Sequence, residues 1–78
     1  MDVTVTAKNG YVEVRVTRRR DGRWDGLYRY VSNRGKSTDW HSAAMPEGFV
    51  TPGIAISAAI FVGRSYAEKQ GEDEKSDA

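Results

Sequence analysis

Apolar and polar residues alternate from the start of the chain. Val3, Val5 and Ala7 interleave with Thr4, Thr6 and Lys8, a period of two that sends one set to a buried face and the other to solvent. Asn9-Gly10 follows, the strongest two-residue hairpin signal because both central positions of such a turn need positive φ. A loop closed there sets Lys8 opposite Tyr11, Ala7 opposite Val12, Val5 opposite Val14 and Val3 opposite Val16. Every apolar residue then meets another. A slip of one residue would break all of these pairs.

The second strand runs on to Arg20 and meets Asp21-Gly22, a second turn signal. A third strand is expected near Trp24 to Ser32. Direct pairing puts Leu27 and Val31 with the valines but also brings Arg29 to that face, so either Arg29 sits at an edge or a bulge at Asp25-Gly26 shifts the register. Asn33-Arg34-Gly35 reads as a three-residue loop into a short fourth strand, about Lys36 to His41. That pairing sets Arg29 opposite Asp39, Tyr28 opposite Trp40 and Tyr30 opposite Thr38.

Ser42 to Val50 reads as a connection with a turn at Met45-Pro46-Glu47-Gly48. Thr51-Pro52 then supplies an N-cap and a proline at the first helical position. Gly53 to Gln70 reads as a helix of about five turns, with Gly71 as its stop. The rival is a hairpin turned at Pro52-Gly53 with Ile54, Ile56, Ile60 and Val62 in strands; Ala55, Ala58, Ala59 and Ala67 favour the helix. Its first turns are apolar nearly all round, more than one sheet face covers. Either Ser57, Gly63, Arg64 and the alanines form the exposed side, or a second apolar face meets another copy or a partner, with Ile56 and Ile60 as the self-association candidates. The sum is an α+β domain over residues 1–70, a three- to four-stranded antiparallel meander with one C-terminal helix packed on it. An acidic disordered tail is expected over residues 71–78.

Composition narrows the function. Seventy-eight residues hold one small domain, and 38% hydrophobic with 29% charged residues describe a globular chain. No cysteine is present, so there is neither a disulfide framework nor a thiolate metal site, and a lone histidine cannot complete a zinc shell. No cofactor is implied. The uncharged run from Gly48 to Gly63 is shorter than the roughly 20 residues of a membrane span, and the first residues lack a signal-peptide pattern, so a cytoplasmic protein is expected.

Asp39-Trp40-His41-Ser42 crowds an acid, a base and a hydroxyl together. Alternation nevertheless turns Ser42 away from His41, so a surface cluster is expected and not an enzyme. The net charge of +1 is unevenly placed. Residues 8 to 36 hold nine Lys or Arg against Glu13, Asp21 and Asp25, a local +6, while residues 71 to 78 carry a local −3.

Arg15, Arg18, Arg19, Arg20, Arg23, Arg29, Arg34 and Lys36 interleave with Tyr11, Trp24, Tyr28, Tyr30 and Trp40. Arginine suits phosphate, and aromatic faces stack on bases or fill partner pockets. The expected contact residues are Arg15, Arg19, Arg20, Arg23, Trp24, Tyr28, Tyr30, Arg34, Lys36 and Trp40. The alternative is a soluble sheet face whose arginines blunt its edges.

The order of three strands then a helix, with Arg20-Asp21-Gly22-Arg23-Trp24 in a tight hairpin, resembles the arm-type DNA-binding domains of phage integrases and the related plant AP2 domains. That resemblance implies a sheet docked in the major groove. Small size, the lack of catalytic groups and the run Val3-Thr4-Val5-Thr6, then Tyr11-x-Val-x-Val, then Asp21-Gly22, also resemble phage anti-defence proteins of the anti-CRISPR kind. That resemblance implies stoichiometric blocking of a nucleoprotein complex. The expected function is therefore a non-enzymatic inhibitor or regulator that binds a protein or nucleoprotein through a basic aromatic sheet face. The alternatives are a direct DNA- or RNA-binding module and a small homo-oligomeric (dimeric) structural protein.

Overall fold

The computed structural model describes the backbone of residues 2–43 and 46–76 and the side chains of residues 2–43 and 46–70. Strands β1 (Asp2–Ala7), β2 (Gly10–Arg18), β3 (Trp24–Ser32) and β4 (His41–Ser42) precede one helix, α1 (Pro52–Ser76). The strands form one antiparallel sheet in the order β1-β2-β3-β4, so the fold is the α+β meander with a C-terminal helix that the patterning predicts.

The register of the first hairpin differs by two residues from the expectation. Ala7 pairs with Gly10, Val5 with Val12 and Val3 with Val14, so the turn residues are Lys8 and Asn9, and Asn9 takes the positive φ of 56°. Gly10 is held in the ladder. Ser32 pairs with it on the far side, and a Cβ on Gly10 would collide with the Val31 carbonyl oxygen. A slip of two keeps every valine on its face, which is why alternation alone does not prevent it.

The second hairpin differs by one residue, and there the consequence is large. Arg18 pairs with Trp24, leaving a five-residue loop, Arg19 to Arg23, where a two-residue turn at Asp21-Gly22 was expected. The Arg19 N–H donates to the Arg23 carbonyl at 2.7 Å, and Gly22 adopts φ 85°. The odd offset turns β3 over. Tyr28 and Tyr30 join Val14 and Val12 in the core, while Leu27, Arg29 and Val31 go to the opposite face. β3 has no bulge at Gly26, which sits in register opposite Val16 beneath the helix, its would-be Cβ 2.8 Å from the Ala55 carbonyl oxygen.

The bulge lies instead across from β3. Thr38 donates its N–H to the Tyr30 carbonyl at 2.9 Å, as expected, but Tyr28 then pairs with His41 and not with Trp40. One extra residue, in the Asp39-Trp40 pair, is accommodated there. Arg29 consequently meets Glu13 from β2 and not Asp39.

α1 starts as the sequence predicts. The Ile54 N–H donates to Thr51 Oγ1 and the Ala55 N–H to the Thr51 carbonyl, both at 3.2 Å, which caps the helix and excludes the rival hairpin. Its inner stripe is Ala55, Ala59, Gly63 and Ala67, one small residue every fourth position. These lie against Val12, Val14, Val16, Tyr28 and Tyr30. Small residues bring the helix axis close to the sheet, and each valine buried there contributes about 1.5–3 kcal/mol. Ile56, Ala58, Ile60, Val62 and Tyr66 flank the stripe half-buried, whereas Ile54 and Phe61 face outward, Phe61 at 75% exposure.

The helix continues across Gly71, where a stop was expected. The side chains of the expected acidic tail, residues 71–78, lie outside the described residues, as does Met45 of the expected turn; Gly48 of that turn adopts φ 77°. Among the described residues no helix is long and apolar enough to cross a membrane.

Candidate functional site

The helix covers one face of the sheet, and strand alternation sends the remaining side chains to the other. Asp2, Thr4 and Thr6 from β1, Tyr11, Glu13, Arg15 and Thr17 from β2, and Asp25, Leu27, Arg29 and Val31 from β3 share that open face. Its centre is built around Trp40. The bulge that sets Tyr28 against His41 leaves Trp40 free to turn over the face, where the guanidinium carbons of Arg15 and Arg29 lie 4.8 and 4.7 Å from its ring centroid. An indole face attracts both cations.

Each arginine is also held by an acid. Arg15 Nε donates to Asp2 Oδ1 at 3.2 Å and Arg29 Nη2 to Glu13 Oε1 at 3.1 Å. Arg29 Nε is buried without a hydrogen-bond acceptor, and the π-face of Trp40 is the electron-rich group the guanidinium meets in its place. The cluster is thereby fixed from three strands and one loop. Three acids stand against two arginines on this face, so it is aromatic and polar but not basic.

The expected contact residues are divided among four places. Arg15 and Trp40 are on the open face. Tyr28 and Tyr30 are in the core, 8% and 3% exposed, and the Tyr30 hydroxyl donates to the Lys8 carbonyl at 2.7 Å. Arg19, Arg20, Arg23 and Trp24 belong to the β2–β3 end. Arg19 is its brace, donating to the Pro46 carbonyl at 2.9 Å and lying 3.4 Å from Asp21 and 3.6 Å from Asp25. Trp24 is half-buried and exchanges backbone hydrogen bonds with Phe49 at 2.8 and 2.7 Å.

Arg18, Arg20 and Arg23 are exposed there, with no ion pair among the described residues. Arg34 and Lys36 occupy the opposite end, where the Asn33 N–H donates to the Asn9 carbonyl at 2.8 Å. Ile56 and Ile60 flank the core, and the outward apolar residues of α1 are Ile54 and Phe61. Sequence reasoning did not select Arg29 or Glu13, which lock Trp40. Their signal is a cross-strand opposite-charge pair that becomes visible only once the β2–β3 loop is counted as five residues.

His41 does not stand in a polar cluster with Ser42. Its ring is 4.9 Å from Tyr66 and 5.6 Å from Tyr28, and Tyr28 meets Tyr66 edge-on at 5.7 Å. Burial raises the Tyr28 phenol above its ordinary value of 10.0, and the nearby Tyr66 raises it further. The group closes the β4 side of the core aromatically. Among the described residues no set of acids or histidines is grouped to hold a metal.

No protein-family model matches this chain, and neither a curated protein nor a solved structure matches it.

Proposed function

We propose that this protein acts by stoichiometric binding, as an inhibitor or regulator of a protein or nucleoprotein, and that the open sheet face around Trp40 is its contact surface. This is the mode of action that the resemblance to phage anti-defence proteins implies. The observation that carries the reading is Trp40 packed against the guanidiniums of Arg15 and Arg29 on a face that no described helix or strand covers. Tryptophan, arginine and tyrosine dominate the energetics of protein interfaces, above all when the anchor is already rigid, because less side-chain entropy is lost on docking. The acids that hold the two arginines also neutralise them, and such a face attracts a polar protein surface more than a phosphate backbone.

A second reading has its own observation. Arg18, Arg20 and Arg23 project from the β2–β3 end without ion pairs among the described residues, and three free guanidiniums suit phosphates. One comparison separates the two readings. The native chain, Trp40→Ala and a triple alanine variant at Arg18, Arg20 and Arg23 are each titrated with a labelled random-sequence DNA duplex over a salt series, and each is immobilised to capture a one-to-one protein complex. The open-face reading expects negligible duplex affinity, a discrete complex with the native chain, and a loss of about 2 kcal/mol or more in that complex for Trp40→Ala alone. Steeply salt-dependent duplex binding that vanishes in the triple variant and survives Trp40→Ala would overturn it in favour of direct nucleic-acid binding.

A further inference from the structure

The two edges of the sheet are finished differently. Along β3 the outward backbone groups are met in turn: Trp24 exchanges bonds with Phe49, the Gly26 carbonyl accepts from Ala43 at 2.9 Å, and Tyr28 pairs with His41 of β4. The Tyr30 carbonyl accepts from Thr38, and the Ser32 N–H donates to Lys36 at 2.8 Å. Along β1 the situation is opposite. The Asn33 to Asn9 bond puts the odd residues of β2 in hydrogen-bonded pairs with β3, so its even residues bond to β1 through Gly10–Ala7, Val12–Val5 and Val14–Val3.

Asp2, Thr4 and Thr6 therefore turn their N–H and C=O groups outward, and no backbone hydrogen bond among the described residues meets them. Of the devices that ordinarily blunt an edge, Asp2–Ala7 has only the end charge of Asp2: it holds no proline, no lysine and no break in register. Val3, Thr4, Val5 and Thr6 are all β-branched, which suits a paired strand.

We propose that β1 pairs antiparallel with β1 of a second copy about a two-fold axis at Val5, joining the two sheets into one. Outward-facing residues must meet outward-facing residues, and this axis sets Thr4 opposite the second copy's Thr6, and Thr6 opposite its Thr4. Each such pair exchanges two backbone hydrogen bonds. On the helix side Val5 meets Val5 and Val3 meets Ala7. On the open side Asp2, whose Oδ1 also accepts from Arg15 of its own chain, meets Lys8, and the two-fold symmetry repeats that opposite-charge pair at the other end. The Lys8 carbonyl already accepts from Tyr30, so the ladder ends at the threonines and Lys8 contributes its ammonium alone. Axes at Val3, Thr4 and Thr6 satisfy the same parity, but they set Asp2 opposite Thr4, Thr6 and Gly10 in turn, and each forfeits both charge pairs.

The decisive substitution is Thr4→Pro. Its N–H faces outward, so proline leaves the β1–β2 ladder whole while removing a donor from the new one and obstructing the approach of the second strand. Sedimentation velocity across a concentration series should give a reversible dimer for the native chain and a monomer for Thr4→Pro with an unchanged circular dichroism spectrum. Lys8→Asp should weaken the dimer at least tenfold, and adding Asp2→Lys should restore it. A native chain that stays monomeric at every concentration would overturn the proposal. So would a Thr4→Pro variant that dimerises like the native chain, or a charge swap that restores nothing. If Thr4→Pro unfolds, the charge swap decides. Trp40→Ala lies off this edge and should leave the dimer intact, which separates the failure of this inference from the failure of the open-face reading.

Discussion

The close approach of α1 to the sheet predicts opposite outcomes for the same substitution at two glycines of one helix. Gly53 lies in the first turn, exposed, and a Cβ there would have Thr51 Oγ1 at 4.0 Å as its nearest neighbour. Replacing it by alanine restricts the unfolded chain and improves helix propensity, a gain of up to about 1 kcal/mol. Gly63 has the same propensity to gain, but its Cβ would stand 2.8 Å from Val12 Cγ1 and 3.2 Å from Tyr28 Cβ. Carbon atoms prefer about 3.5–4.0 Å, and Val12 is fully buried in the middle strand with nowhere to retreat.

Forcing a methyl into such a site costs about 1–3 kcal/mol, which cancels or exceeds the gain. The two variants should therefore differ by about 1–3 kcal/mol, with Gly53→Ala the more stable. On a chain this size each kcal/mol moves the midpoint by about 4–8 °C. Urea and thermal unfolding followed by tryptophan fluorescence and circular dichroism read the difference directly. A Gly63→Ala protein stabilised as much as Gly53→Ala would refute the close packing described above.

Thr51→Ala removes the cap that meets the Ile54 N–H and should lower stability by about 1 kcal/mol in the same unfolding assay. The raised Tyr28 phenol makes a signed prediction in alkali: the folded state holds that proton more tightly than the unfolded state, so its contribution is complete below pH 10.0 and lost as pH rises above it. Tyr28→Phe should flatten that alkaline loss of stability, measured as denaturation midpoint against pH; an unchanged slope would mean that Tyr28 is not the group responsible.

How much of the fold the sequence discloses depends on parity. The alternation of Val3, Val5 and Ala7 against Val12, Val14 and Val16 determines which face each residue takes, and the structure keeps all of them there. It does not determine the offset, because a slip of two is invisible to alternation, and Gly10 fits the observed offset through its close approach to the Val31 carbonyl of β3, a strand outside the hairpin. In the next hairpin the same ambiguity concerned one residue. Asp21-Gly22 marks the turn correctly, but Arg19 and Arg23 also belong to the loop, and the odd offset exchanged the two faces of β3.

The site inherited that exchange. With Arg29 placed among the valines, a bulge in β3 and a partner at Asp39 were the natural remedies. With the faces exchanged Arg29 needs neither, since Glu13 already stands across from it in β2. The same step carried Tyr28 and Tyr30 out of the contact surface and into the core, where they serve the helix. A cluster of arginines and aromatics along a sequence is thus not yet a surface. In this chain, strand parity sends Arg15 to the open face, Arg18 and Arg20 belong to the β2–β3 end, and the bulge that displaces His41 by one residue brings Trp40 against Arg15 and Arg29. The proposed contact surface is as small as that cluster, and a partner that used it would approach the sheet from the side opposite α1.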